Sequence, residues 1–308
     1  MRLLRQLRNL WDWWHFPRRH HIPTDAVVLD VGCGNWPNMR ANILADKFLF
    51  DNSERAYPLV LDNRPLIICD ALRLPFKEKS VDYVVCSNLA EHLEEPEILF
   101  AELSRVGKAG YIECPSRLRE MLHGWEFHRW YVQVSNGQIV LEEKPRPLHD
   151  TELHAWFSHL FESDSAFEQF FLQNLERLGL VAGYDWVDRI CYNIRRDPQA
   201  NWKRTTARLE TSSPLTSDQL AAQLERMPRP HPTRNERIKN WLSVLARRGS
   251  DARAGKQLSS MLCCPICRGD LASGSGHLVC TECTAQFPVI RNVYYLLPEQ
   301  ASQAHLTA

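Results

Sequence analysis

The sequence has no apolar run approaching ~18 residues, so no membrane-spanning helix is expected. It has no excess of either charge: 37 Lys and Arg stand against 37 Asp and Glu. That balance excludes a uniformly basic coat for nucleic acid and leaves only local patches. It has no internal repeat and no low-complexity tract. With 44% hydrophobic and 24% charged residues over 308 positions, it is not a disordered chain, and its length suits about two domains. Met1 to His21 lacks an unbroken apolar core, because Arg5, Arg8 and Asp12 interrupt it, and lacks a small-residue cleavage site; no secretory signal is expected. Four of the ten cysteines lie close together near the C-terminus and six are scattered. That is no disulfide framework, and it points to a reducing, cytoplasmic setting with a metal site.

What is present divides into four parts. Residues 1–21 place Leu3, Leu4, Leu7, Leu10, Trp11 and Trp14 at helical spacing, with Arg2, Arg5 and Arg8 on another face. This is an amphipathic leader helix, either a lid on the rest of the chain or an anchor peripheral to a membrane. Residues 22–195 open with alternating strands and helices. Short apolar runs begin at Val27, Ile43, Leu66, Val81 and Tyr111, and Glu97 to Val106 is an intervening helix. Strands apolar throughout are covered on both faces, so the expected class is α/β with a mostly parallel sheet and helices on both sides. Trp130 to Leu141 reads as a hairpin turning at Asn136-Gly137. Residues 151–179 have helical periodicity, and Tyr184 to Arg195 reads as one closing strand. Residues 196–257 are rich in Pro, Arg and Lys: a basic linker with one or two helices, either solvated or facing RNA phosphates or anionic lipid. Residues 258–308 form a compact terminal module.

The first sharp motif is Val28-Leu-Asp-Val-Gly-Cys-Gly-Asn35. A strand enters a Gly-x-Gly turn whose bare backbone lets a ligand approach closely. Such a turn lies at the carboxyl ends of the strands, where open α/β sheets bind ligands, though it also serves as a purely structural turn. Pro37 replaces the third glycine of a dinucleotide fingerprint, which counts against NAD or FAD. Asp46 ends the second strand and suits ribose hydroxyls, with Asp51 as rival. Asp70 ends the third and suits an exocyclic amine. Asp30 lies inside the first strand.

These residues, with Cys69-Asp-Ala-Leu-Arg-Leu-Pro-Phe76 and the run Val81 to Pro96, resemble the Rossmann-like S-adenosylmethionine-dependent methyltransferases over residues 22–116. The resemblance implies S-adenosylmethionine as cofactor. It implies that Gly32, Cys33 and Gly34, beside Asp30 and Asn35, line the methionine and ribose portion. Asp46 would hold the ribose, Asp70 and Ala71 the adenine, and Ser87 and Asn88 the sulfonium side. Methyl transfer to a protonated nucleophile needs a base, and His92, just past the fourth strand, has the right intrinsic pKa. Glu91 beside it and His128 share the candidacy; each also reads as a packing residue. Met121 to Tyr131, with His123, Glu126, Trp125 and Trp130, reads either as an acceptor lid or as a small aromatic core.

The second sharp motif is Cys264-Pro-Ile-Cys267, twelve residues, then Cys280-Thr-Glu-Cys283. Two such knuckles fit one tetrahedral zinc; four thiolates close the coordination, so the ion is structural. A redox dithiol pair is the rival reading. Residues Leu262 to Leu271 and Leu278 to Pro298 resemble the zinc-ribbon activator subunit of RNA and protein methyltransferases, which implies a ribbon stabilising its own catalytic domain. The strip Val289, Ile290, Val293, Tyr294, Leu296 and Leu297 suits docking on the sheet edge. The expected activity is methylation of a small-molecule, glycan or lipid hydroxyl. The alternatives are methylation of tRNA or a translation component, and a cofactor-binding scaffold without turnover.

Overall fold

A computed structural model describes residues 19–52, 55, 57–145, 152–200, 202, 217–227 and 234–303. The expected leader helix and much of the Pro-rich linker lie outside these residues. In chain order the elements are β1 (Val28–Val31), β2 (Ile43–Asp46), β3 (Leu66–Ile68), β4 (Val81–Ser87), α1 (Pro96–Val106), β5 (Gly107–Pro115), α2 (Arg117–His123), β6 (Trp130–Ser135), β7 (Gln138–Glu143), α3 (Glu152–Ser163), α4 (Ser165–Gln173), β8 (Val181–Val187), β9 (Tyr192–Arg195), α5 (Ser217–Arg226), α6 (Arg234–Met261), β10 (Leu271–Ser273), β11 (His277–Cys280), β12 (Ala285–Ile290), β13 (Val293–Tyr295) and β14 (Ser302–Gln303). They form two compact units: residues 1–85, 102–110 and 211–308 make the first, and 86–101 with 111–210 the second. Along the chain, β4, α1 and β5 each pass from one unit into the other.

The first unit is built on a sheet ordered β10-β11-β12-β13-β3-β2-β1-β4. Its centre is parallel, with β1 beside β2, β2 beside β3 and β3 beside β13. Every residue of β1 and β3 is buried, as their unbroken apolar sequences require. The terminal module supplies antiparallel hairpins, and its last ladder strand, β13, continues the parallel sheet. Val293 lies opposite Leu66 and Tyr295 opposite Ile68; Leu66 N donates to Asn292 O at 3.1 Å and Leu296 N to Ile68 O at 2.8 Å. The expected mostly parallel sheet and terminal ribbon are both present; of the expected apolar strip Val293 and Leu296 meet β3, together with Tyr295, which the strip did not include.

The connection from Gly34 to Asn42 contains turns and no helix, a departure from the expected alternation of strands and helices. Pro37 interrupts it, and Asp30 and Arg64 hold it: Arg64 Nη1 donates to Asn38 O at 2.7 Å and Ala41 O at 3.2 Å. Helix α6 packs on this connection. Asn42 accepts from Val28 N at 2.8 Å through Oδ1, and its amide donates to Ser250 Oγ at 2.9 Å and Asp251 Oδ1 at 2.6 Å. Arg247 donates to Met39 O, and Arg253 pairs with Asp82. The second half of the expected linker is therefore a packed helix, and two of its arginines are engaged within the protein. The helix runs without break to Met261, across the expected boundary at 257/258.

In the second unit β8 neighbours β5, and a separate sheet has the order β6-β7-β9. The β6–β7 hairpin turns at Asn136 and Gly137, both at positive φ, as the sequence predicts. The helical stretch 151–179 breaks at Asp164, whose Oδ1 accepts from Ala166 N and Phe167 N and caps α4. The closing strand is two strands, β8 and β9, parted near Asp188 at φ +61°. Phe157, Phe171 and Leu180 form a core with Phe161, Phe167 and Leu175 around it. Among the described residues no helix is long and apolar enough to cross a membrane.

Candidate functional site

Beyond β1, Gly32 and Gly34 take φ of +72° and +49°, which a side chain would strain. Gly32 N and Cys33 N both donate to Ala45 O, at 2.9 and 3.1 Å, so the turn is pinned to β2. Asp46 Oδ2 accepts from Gly34 N at 2.9 Å and Oδ1 from Phe48 N at 3.0 Å. Asp30 Oδ2 accepts from Asn38 N at 2.6 Å, and Asn35 is half-buried between them. Burial pushes the Asp30 carboxyl up to about 6, against the pull of the Asn38 bond and Arg64; burial likewise raises Asp46. Asp70 Oδ1 accepts from Leu72 N at 2.9 Å and caps the short turn that begins at Ala71, while Oδ2 pairs with Lys47 Nζ at 2.6 Å. Cys69 N donates to Asp46 O at 3.0 Å, which sets the ends of β2 and β3 side by side. The acids expected on the first three strands are therefore neighbours around one turn. Asp51 is exposed.

Sequence reasoning missed Arg55. Its Nη1 lies 3.7 Å from Asp46 Oδ1, too far for a hydrogen bond, and is buried without one among the described residues. An orphaned buried donor beside a glycine turn and two carboxylates is a donor set that fits a ligand bearing both hydroxyls and a carboxylate, as S-adenosylmethionine does. Nothing in the pattern Asp51-Asn-Ser-Glu-Arg55 marks it out.

In the second unit, Ser87 is half-buried and Asn88 exposed, with Asn88 N donating to Glu113 O at 2.7 Å. Glu91, His92 and His128 meet: one ligand atom from each lies within 4.8 Å of the others. The bond from Arg129 N to Glu91 O, 2.7 Å, brings the two segments together, and Trp130 Nε1 donates to Leu93 O at 2.6 Å. His128 Nδ1 pairs with Glu120 Oε2 at 2.7 Å, and Lys144 pairs with the other oxygen of Glu120. Burial works to raise Glu120, but the bonds from His128 and Lys144 outweigh it and hold the carboxyl below its usual range. Burial lowers His128 and Lys144.

The Met121 to Tyr131 segment divides. His123 stacks on Trp125 at 4.1 Å between ring centroids and meets Phe157 and Phe171 edge-on. Burial takes its pKa down to about 3, so it is a neutral member of an aromatic core. Trp130 is fully buried and offers no open acceptor surface, contrary to the lid reading.

In the terminal module, Cys264, Cys267, Cys280 and Cys283 present their sulfurs within 4.8 Å of one another. Cys264 and Cys283 are 3.6 Å apart and Cys267 and Cys280 3.4 Å. A tetrahedron with Zn–S of about 2.3 Å has edges of ~3.8 Å, so the four fit zinc. Ile266 N donates to Cys264 Sγ and Cys283 N to Cys280 Sγ, both at 3.4 Å, as knuckle backbones do. At Gly269 a Cβ would lie 2.4 Å from Glu282 Cγ and 3.2 Å from Cys280 Sγ, so the close approach of the knuckles requires glycine. Cys263 stays outside the set; its N–H donates to Pro75 O at 3.0 Å.

Residues 29–112 match the family described as Methyltransferase domain, and residues 256–292 match that described as Trm112p-like protein. No curated protein matches the chain. Among solved structures, a protein of Bacillus halodurans described as a methyltransferase is 18% identical with a TM-score of 0.27, covering 34% of this chain and 51% of its own. A chain from a Haloferax volcanii complex between the Trm112 methyltransferase activator and a methyltransferase is 17% identical with a TM-score of 0.30, covering 42% of this chain and 73% of its own. A S-adenosylmethionine-dependent methyltransferase of Clostridium acetobutylicum is 17% identical with a TM-score of 0.27, covering 42% and 63%. The chain spans about half the length of the first of these. The two family matches bear out both resemblances seen in the sequence: the chain carries a methyltransferase domain, which implies S-adenosylmethionine, and a Trm112p-like ribbon, which with its four cysteines implies structural zinc.

Proposed function

We propose that this chain, which carries a methyltransferase domain and a ribbon of its own, transfers a methyl group from S-adenosylmethionine to the hydroxyl of a small-molecule, glycan or lipid acceptor. The observation that carries the reading is the glycine turn pinned between the carboxylates of Asp30 and Asp46, with Asp70 on the next strand end. S-adenosylmethionine, when bound, supplies a methyl already activated on a sulfonium. What the chain must add is position and a proton acceptor. Gly32, Cys33, Gly34 and Asn35 would follow the methionine and ribose, Asp46 would accept from the ribose hydroxyls, and Asp70 and Ala71 would frame the adenine. Arg55, paired with Asp46, has Nη1 left to donate to the methionine carboxylate, and Ser87 and Asn88, after β4, would serve the sulfonium side. The acceptor's proton falls to the Glu91–His92–His128 group, with His92 first among them.

A second reading is methylation of tRNA or a translation component, favoured by the Trm112p-like match and the basic segment before it. Calorimetry on zinc-loaded protein tests the common core. S-adenosylmethionine and its demethylated product should both bind, and Asp46→Ala should abolish binding. A labelled-methyl assay on extract fractions, with and without ribonuclease, then separates the acceptors. Absence of heat with either compound would overturn the enzyme reading.

A further inference from the structure

Glu91 is 1% exposed, and neither of its carboxylate oxygens has a hydrogen-bond partner among the described residues. A buried carboxylate left in that state is costly, by several kcal/mol. Arg119, Lys144 and His128 lie within electrostatic reach of it, and the Cys114 thiol is close by. Two imidazoles stand beside it. His92 and His128 pack edge to face, 4.6 Å between centroids. His128 is oriented by Glu120 through Nδ1, which leaves Nε2 for another partner.

From this we infer that Glu91, His92 and His128 bind a divalent first-row transition-metal ion, separate from the ribbon zinc, with Glu120 as the carboxylate that orients His128. Two imidazoles and one carboxylate form a donor set that leaves coordination positions open, unlike the closed four-thiolate site. A ligand histidine donating its other nitrogen to a carboxylate is the usual support for such an ion. Ligand atoms at about 2.1 Å from one ion stand ~3.4 Å apart in a tetrahedron and ~4.2 Å when opposite. The observed span of 4.8 Å therefore closes by roughly an ångström, within the reach of side-chain rotation at the half-buried His92. The role of the ion rests on the proposed function: with the lone pair of His92 given to the metal, the ion, in place of His92 as base, would hold an acceptor hydroxyl and favour its deprotonation. Its binding does not rest on that function.

The test uses the full-length, zinc-loaded protein without cofactor or acceptor. Mn²⁺ is the probe, because it takes carboxylate and imidazole and competes poorly for four thiolates. Loss of the free-ion electron paramagnetic resonance signal should report one Mn²⁺ per chain. Glu91→Gln and His92→Gln should each weaken it at least tenfold, with ribbon zinc unchanged at one per chain. Glu120→Gln should weaken it by about 10–100-fold. Since a buried variant can misfold, the wild type supplies an independent readout: Mn²⁺ should raise its unfolding midpoint, and His92→Gln should cancel the rise. No stoichiometric binding by the wild type, or binding undiminished in Glu91→Gln and His92→Gln, overturns the site. Failure of S-adenosylmethionine to bind would sink the methyltransferase reading and leave this result untouched.

Discussion

Removing the ribbon zinc should weaken the cofactor site, although the ion and the glycine turn belong to different parts of the sequence. Structural zinc contributes ~10–16 kcal/mol of apparent folding free energy in small zinc peptides, so chelation unfolds a ribbon of this size. Among the described residues the ribbon is the only neighbour of β3 on the side away from β2. Its loss uncovers Val293, Tyr295 and Leu296, each under 5% exposed, together with the facing edge of Leu66, Ile67 and Ile68. At ~1.5–3 kcal/mol per buried side chain, the three ribbon residues alone represent roughly 5–9 kcal/mol. That is comparable with the whole stability of a typical domain, ~5–15 kcal/mol. The strand so exposed leads directly into Asp70, and its partner β2 ends at Asp46. Urea unfolding under reducing conditions, with and without chelator, measures the effect. The midpoint should collapse, S-adenosylmethionine affinity should fall more than tenfold, and added Zn²⁺ should restore both. Stripped protein that keeps its midpoint and its affinity would refute the coupling.

Two further outcomes follow from buried polar groups. Asn42→Ala leaves Val28 N–H without its partner and cuts both bonds to α6, so it should destabilise the protein by about 3 kcal/mol in urea, with Asn42→Asp recovering only the Val28 bond. Asp30, held at about 6, is protonated more readily in the folded than in the unfolded chain; the stability it provides is complete below about pH 4 and is lost as pH rises through 6, to a cost of about 3 kcal/mol. Asp30→Asn should therefore stabilise the protein at pH 8 and change little at pH 4; equal effects at the two pH values would contradict a buried, ionising Asp30.

Much of this was legible in the sequence because local chemistry fixed it. The apolar runs gave β1 to β5 within a few residues, Asn136-Gly137 gave its hairpin, and the cysteine spacing gave four sulfurs in one cluster. Glu91, His92 and His128, 37 residues apart at the extremes, were each plausible alone; their meeting depends on the Arg129–Glu91 backbone bond, which no periodicity announces. Arg55 and Glu120 were missed for the same reason: their roles are set by long-range packing. The larger miss concerns the packing of α6. A helix was expected there, but as part of a linker; the expected apolar residues Trp241 and Leu245 are exposed, and Ser243, Arg247 and Ser250 are buried instead, where polar groups of the Gly34–Asn42 connection meet them. The helix absent after the glycine turn and the packed helix before the ribbon are linked: α6 stands in for the first by packing on the connection that forms no helix of its own.

That substitution has a consequence for biogenesis. When the ribosome has released the glycine turn and the first three strands, the parts that cover them have not been made: the helix for the opening connection ends at Met261, and the edge partner of Leu66 is Val293. The half that carries the glycine turn must wait, with an open strand edge, until the chain has been made as far as Val293, and closure over more than two hundred residues is slow. Expression of residues 22–195 alone should yield an aggregating fragment, and early stop codons anywhere before the last knuckle should be as damaging as those in the turn itself.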